Sequence, residues 1–265
     1  MKEYIFNNTY YRINDFKQGR PLLVFIHGLT GSSSAWKKYE ERFENNYNLL
    51  TYDLRGHGRT AKPKNYGDYE IKNFVQDLSE LLKHMNITTF NIVSHSFGTL
   101  IALGFLAEQQ DMVRSVIFLS PVFALKKRRL ARIIEPLVGI TKIFDRLPFS
   151  GKAGQDVDYS RYENTGDWNL RRMLADIPNT SLRVYFYCIR QSYNFKYDYF
   201  LSLIKIPVLI IHGKKDTIYP FKNSEEIAKK INNSQIILLD DANHIVVLNN
   251  FFTIAEAIEK FIQKN

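Results

Sequence analysis

Short apolar runs alternate with longer stretches whose apolar residues recur every three or four positions, and this alternation constrains the fold more than any other feature of the chain. Leu22 to Ile26, Leu49 to Asp53, Phe90 to Ser94, Val113 to Ser120, Ile206 to His212 and Gln235 to Leu239 read as buried strands. Ser34 to Glu44, Glu70 to His84 and Thr99 to Gln109 read as helices with one face on a sheet, as the spacing of Ile71, Phe74, Val75, Leu78, Leu81 and Leu82 illustrates. Ile254, Ala257, Ile258 and Phe261 repeat that spacing in a closing helix. The pattern predicts an α/β fold with a mostly parallel central sheet flanked by helices. Met1 to Asn14 alternates polar and aromatic residues and receives no element from this reading.

The alternation stops after Pro121 and a strand pattern resumes only at Ile206. Residues 123–200 are therefore expected to form an inserted, mainly helical lid on a core made of residues 1–122 and 201–265. The insertion opens with the basic run Lys126, Lys127, Arg128 and Arg129, followed by Leu130, Ile133, Ile134 and Leu137 at helical spacing, with Pro136 positioned to kink or end that helix. It closes on an aromatic stretch, Tyr185 to Phe200, in which eight of sixteen residues are Phe or Tyr.

Composition removes several classes of function. With 265 residues, 45% hydrophobic and 24% charged, the chain is long and apolar enough to bury a core of its own, which excludes global disorder. No segment reaches the roughly 20 apolar residues of a membrane span, and the first residues lack a signal-peptide core, so a cytoplasmic protein is expected. The formal net charge of +9 favours anionic partners in general, but no zinc-finger, RNA-recognition or basic-zipper pattern accompanies it, and no nucleic acid is expected. A lone cysteine, Cys188, forms no intrachain disulfide and reads as a buried small hydrophobe.

The chemistry concentrates where strands end. Phe90 to Ser94 runs into Ser94-His95-Ser96-Phe97-Gly98 and then directly into a helix opened by Thr99, so Ser96 stands at a sharp strand-to-helix turn. A serine hydroxyl is a weak nucleophile and needs such an exposed position beside a base, with small neighbours to relieve backbone crowding. The alternative for Ser-x-Gly is a polar helix cap. His27-Gly28-Leu29-Thr30-Gly31 follows the first strand, and Asp53-Leu54-Arg55-Gly56-His57-Gly58 follows the second.

Taken in this order, the motifs resemble the α/β-hydrolase superfamily, in its lid-bearing branch of serine esterases and lipases, over nearly the whole chain outside the insertion. Ser94 and Asn243 stand where that family usually has glycine. The resemblance implies a triad in the order serine, acid, histidine: Ser96, then Asp216 in the loop Gly213 to Pro220, then His244 after Asp240-Asp241-Ala242-Asn243. Asp240 and Asp241 are the alternative acids, being nearer to His244 in sequence. It also implies an oxyanion hole from the backbone N–H groups of Leu29 and Phe97, and no metal or organic cofactor. Serine at the turn argues against the family's dehalogenases and epoxide hydrolases, which use aspartate there.

The function so implied is hydrolysis of a carboxylic ester or thioester with an apolar part. Carbon-carbon bond hydrolases, aminopeptidases, acyltransferases and cofactor-free haloperoxidases of the same fold are alternatives, and a ligand receptor retaining the fold is the alternative of another class. Arg55 and His57 read as braces of their turn, His27 as a shaper of its loop, His84 and His95 as structural or solvated, and His212 as a strand end. The run Lys126 to Arg129 reads as a solvated helix face or as a weak contact with an anionic membrane surface.

Overall fold

The computed structural model describes residues 1–123, 143–197 and 199–265. Its strands are β1 (Lys2–Phe6), β2 (Thr9–Ile13), β3 (Leu22–Ile26), β4 (Asn48–Tyr52), β5 (Phe90–His95), β6 (Val113–Leu119), β7 (Val208–Gly213) and β8 (Ser234–Leu239). They form one sheet in the order β1-β2-β4-β3-β5-β6-β7-β8. β1 and β2 make an antiparallel hairpin, β2 runs antiparallel to β4, and every other pairing is parallel. The described α-helices are α1 (Lys37–Phe43), α2 (Ile71–His84), α3 (Gly98–Gln109), α4 (Leu170–Thr180), α5 (Leu182–Ser192), α6 (Phe221–Ala228), α7 (Val246–Asn249) and α8 (Phe251–Lys264).

A parallel sheet needs both faces covered, and the strand residues sort by parity to two cores; the exception is β8, expected as a buried strand but exposed or half-buried at the sheet edge. In β3, Leu22, Val24 and Ile26 face the α2 and α3 side, where Phe74, Leu78 and Leu100 meet them. Leu23 and Phe25 face the other side, against Trp36, Tyr39 and Phe43 and the α8 residues Ile254 and Ile258. Each such buried side chain contributes roughly 1.5–3 kcal/mol, which is why these helices lie flat on the sheet. β3 and β5 are neighbours although β4 intervenes in the chain, so successive connections leave β3 in opposite directions. In open α/β sheets the crevice at such a switch point, beyond the strands' carboxyl ends, is where ligands bind.

The N-terminal hairpin corrects the reading of Met1 to Asn14. Asn7 and Asn8 both have positive φ, 45° and 64°, which suits the tight two-residue turn that matches strand twist. β1 is largely exposed, so it carries no apolar run to betray it, while β2 buries four residues and extends the sheet beside β4. Ser34 to Glu44 is not one helix but a 3₁₀ turn, Ser33–Trp36, leading into α1. β7 begins two residues after Ile206, beyond Pro207, which has no N–H to give a ladder. Helices α6 and α7 were not expected.

Among the described residues no strand lies between β6 and β7. Ser181, at φ 68°, separates α4 from α5, and its hydroxyl caps α5 at Val184. Tyr187, Cys188, Phe195 and Phe200 are buried in the core cluster shared with α2 and α3. The basic run Lys126 to Arg129 and the apolar residues Leu130 to Leu137 lie outside the described residues. No described helix is long and apolar enough to cross a membrane.

Candidate active site

Ser96 opens the two-residue turn between β5 and α3 with φ at 51°, a left-handed conformation that costs a non-glycine residue about 1 kcal/mol or more. The turn is held from both sides: the Ser96 N–H donates to Leu119 O at 3.0 Å, and its carbonyl accepts from Thr99 N at 3.0 Å. Gly98 makes the geometry possible, because a Cβ there would lie 2.7 Å from Ile26 O and 2.8 Å from His27 O. Ser94, the departure from the family pattern, is fully buried in β5 and paired in register with Ile26 and Phe118.

His244 Nε2 lies 2.8 Å from Ser96 Oγ, and its Nδ1 lies 2.6 Å from Asp216 Oδ2. A carboxylate only accepts, so Nδ1 carries the hydrogen and Nε2 offers a lone pair to the serine. The other oxygen of Asp216 accepts the backbone N–H groups of Ile218 and Tyr219, both at 2.8 Å. Burial works against the Asp216 charge, but hydrogen bonds from His212 and His244 outweigh it and hold the carboxyl well below the usual range. Asp240 and Asp241 are instead exposed, in ion pairs with Lys214 and Lys215 at 2.6 Å. Geometry therefore joins Asp216, and neither alternative, to the histidine.

Two supporting residues escaped the sequence reading. His212, read as a strand end, lies inside β7 with its Nε2 2.8 Å from Asp216 Oδ2 and 3.0 Å from Tyr219 O. Both are acceptors, so Nε2 bears the hydrogen and Nδ1 accepts the buried Ser224 hydroxyl at 2.7 Å. Two histidines thus donate to one carboxylate oxygen. The second residue is Asp167, which precedes α4. Its Oδ1 accepts His244 N at 2.8 Å, and its Oδ2 accepts Thr217 N at 2.9 Å and Thr217 Oγ1 at 2.7 Å. One side chain ties the loop bearing Asp216 to the loop bearing His244. A polar residue within a segment of no clear period gives no sequence signal for that role; in β7, the His-Gly-x-x-Asp spacing was a signal that could have been used.

A cavity of about 290 Å³ opens on Ser96 and His244. Its walls are largely apolar, with Val122, Tyr185, Ile189 and Leu248 among them. The loop after β3 forms one edge, and neither Leu29 nor Phe97 uses its N–H in a backbone hydrogen bond among the described residues. His27 fixes that loop as a neutral ring: Nδ1 donates to Gly28 O at 2.8 Å, Nε2 accepts Leu54 N at 3.0 Å, and burial lowers its pKa to about 4. His95 is neither solvated nor idle. It is half-buried, desolvation lowers its pKa to about 3, and its Nε2 lies 3.1 Å from the carbonyl of His244.

The turn after β4 is structural. Asp53 accepts Ser33 N at 2.7 Å and Arg59 N at 2.8 Å, and a Cβ at Gly58 would strike its carboxylate. Arg55 grips Asp77 through two bonds of 2.6 and 2.7 Å, and His57 sits against Arg55 O. His84 stacks on Phe6.

Comparison with known proteins agrees with this architecture. Residues 21–251 match the alpha/beta hydrolase fold family. The chain is 23% identical to a probable lysophospholipase, BODYGUARD 2 of Arabidopsis thaliana, over 88% of its own length but 56% of that protein, so it spans little more than half of that relative. It is 28% identical to a putative non-heme chloroperoxidase of Synechocystis sp., covering 88% of this chain and 87% of the other. Among solved structures, an alpha/beta hydrolase enzyme from a Medee basin deep-sea metagenome library superposes with a TM-score of 0.76 at 21% identity, covering 100% of this chain and 98% of that one. The match spans most of the chain and takes in the strands and loops that carry Ser96, Asp216 and His244: the protein belongs to the alpha/beta hydrolase fold family.

Proposed function

We propose that the protein is a serine hydrolase that cleaves carboxylic esters, thioesters included, through an acyl-enzyme on Ser96. The observation that carries this reading is the unbroken chain Ser96 Oγ, His244, Asp216, at 2.8 and 2.6 Å, at the floor of an apolar cavity. His244 Nε2 accepts the Ser96 proton as Oγ attacks the ester carbonyl. The carbonyl oxygen, now negative, is met by the N–H groups of Leu29 and Phe97, the latter at the start of α3, where N–H groups are free to donate. His244 then returns the proton to the departing alcohol, and the acyl group remains on Ser96. Water, deprotonated by the same imidazole, releases the acid and restores the serine. Asp216 keeps the imidazole in the Nδ1–H tautomer and stabilises its cationic form, a task to which its four hydrogen bonds suit it. Residues 123–200 act in this reading as the lid over the apolar part of the substrate.

The test is Ser96→Ala assayed on a 4-nitrophenyl butyrate series. The expected outcome is a fall in kcat on the order of 10³-fold or more with the thermal midpoint preserved, because only the attacking oxygen is removed. A folded variant retaining more than about a tenth of the rate excludes Ser96 as the nucleophile.

A further inference from the structure

Among the described residues two carboxylates line the cavity, Asp167 and Asp176, and they differ in how they are bonded. Asp167 is satisfied by the three donors of the catalytic loops described above. Asp176, in α4, is 4% exposed; its Oδ1 accepts the Tyr159 hydroxyl at 2.7 Å, and the Thr30 hydroxyl stands 3.4 Å from its Oδ2. The second contact is long for an O–H···O bond, and a carboxylate offers about four acceptor positions. Asp176 therefore keeps unused acceptor capacity in a cavity that is otherwise mostly apolar.

Among the described residues, the cation beside it is shared with Asp167. Arg172 lies one helical turn earlier in α4, and its guanidinium donates to Asp167 O at 2.5 Å and, more loosely, to Gly166 O at 3.4 Å and Thr165 Oγ1 at 3.5 Å. Its charge is felt by both Asp176 and Asp167, so among the described residues one cation serves two carboxylates. Burial raises the Asp176 carboxyl to about 6, against the lowering by Tyr159, Arg172 and Thr30, so it is mostly ionised at neutral pH. A buried, under-bonded carboxylate is costly unless a donor completes it. Thr30 places it: this residue follows Leu29, and its carbonyl is held by the Thr180 hydroxyl at 3.1 Å, so Asp176 borders the loop proposed to receive the ester's carbonyl oxygen.

We propose that Asp176 is a substrate-recognition residue that selects esters carrying a hydrogen-bond-donating group, a hydroxyl or a protonated amine, beside the scissile bond. This rests on the reading of the protein as an ester hydrolase and deepens it by naming what the polar wall of the cavity recognises.

The experiment compares four esters: propyl butyrate, which has no donor; glyceryl 1-monobutyrate and 3-(dimethylamino)propyl butyrate, with a hydroxyl or an ammonium on the alcohol side; and ethyl 3-hydroxybutyrate, with a hydroxyl on the acyl side. A hydrogen bond to a charged group converts to a factor of about 10 to 100. Asp176→Leu is expected to lower kcat/KM for at least one donor-bearing ester by that factor while leaving propyl butyrate within about threefold. Asp176→Asn, which keeps the shape and one acceptor, retains more of the hydroxyl ester than of the ammonium ester. An equal loss on all four esters, matched by Thr30→Val, assigns Asp176 to bracing the loop and overturns the proposal; so does no change on any of them. Binding of 1-O-butylglycerol against dipropyl ether, followed by NMR, reads the same preference without turnover. A parent protein that binds the glycerol ether through Asp176 but hydrolyses none of the esters counts against the hydrolase reading alone.

Discussion

Ser96 and Asp167 belong to one site but are held there by opposite means. The sheet fixes Ser96 through its backbone: a left-handed residue between β5 and α3, its N–H on the neighbouring strand, and a glycine two residues on that lets α3 press against two carbonyls of β3's end. The stretch between β6 and β7 fixes its part through side chains. There Asp167 reaches both the Thr217 and His244 backbones, and Thr180 holds the Thr30 carbonyl. Backbone fixation survives most side-chain changes and is undone by an added Cβ. Side-chain fixation is undone by exchanging a single carboxylate oxygen.

Four substitutions break or sharpen this contrast. The largest effect is expected for Asp216→Asn, whose amide cannot accept from both His212 and His244 without presenting N–H to one of the donors around it. Loss of the correct His244 tautomer should lower kcat on the order of 10³- to 10⁴-fold, read on a soluble 4-nitrophenyl ester, with modest change in KM. Next comes Gly98→Ala, which places a methyl within 2.8 Å of backbone carbonyls that cannot step aside. It should cost about 1–3 kcal/mol, seen as a fall of several degrees in the thermal midpoint, together with loss of most activity. Asp167→Asn should lower kcat about 10- to 100-fold, since one amide N–H must face a backbone N–H of Thr217 or His244, with a smaller fall in thermal midpoint than Gly98→Ala gives. The smallest effect is expected for Asp241→Asn. This residue is in an exposed ion pair with Lys215, and such pairs contribute about 0–1 kcal/mol, so activity should stay within twofold.

Five of the eight described strands, the three sheet-packing helices α2, α3 and α8, and the order of the site's loops were legible because a parallel sheet writes its burial directly into the chain, while β8 was found by its apolar run although it lies at the exposed edge. Phe90 to Ser94 must be apolar on both faces, and the abrupt change to Ser-His-Ser-Phe-Gly marks where the strand gives out. The hairpin β1–β2 was missed because its residues alternate polar and aromatic types without an apolar run, and its sign was the Asn7-Asn8 pair. Distinguishing Asp216 from Asp240 and Asp241 took the family order, because sequence distance favours the wrong pair; the fold separates them through burial and the 2.6 Å contact with His244. Asp167 and Asp176 were not legible at all. Each is a single aspartate far in sequence from what it touches, and only the fold brings Asp167 across 77 residues to His244.

The central claim, that Ser96 is the nucleophile of an acyl-transfer site set up by His244 and Asp216, is tested most directly by labelling with a fluorophosphonate and mapping the adduct by peptide mass spectrometry. The account predicts one adduct, on Ser96, formed at a rate that falls with pre-incubated ester and by several orders of magnitude in His244→Ala. An adduct on another residue, or ester hydrolysis that continues in a parent protein whose Ser96 stays unlabelled, would contradict it.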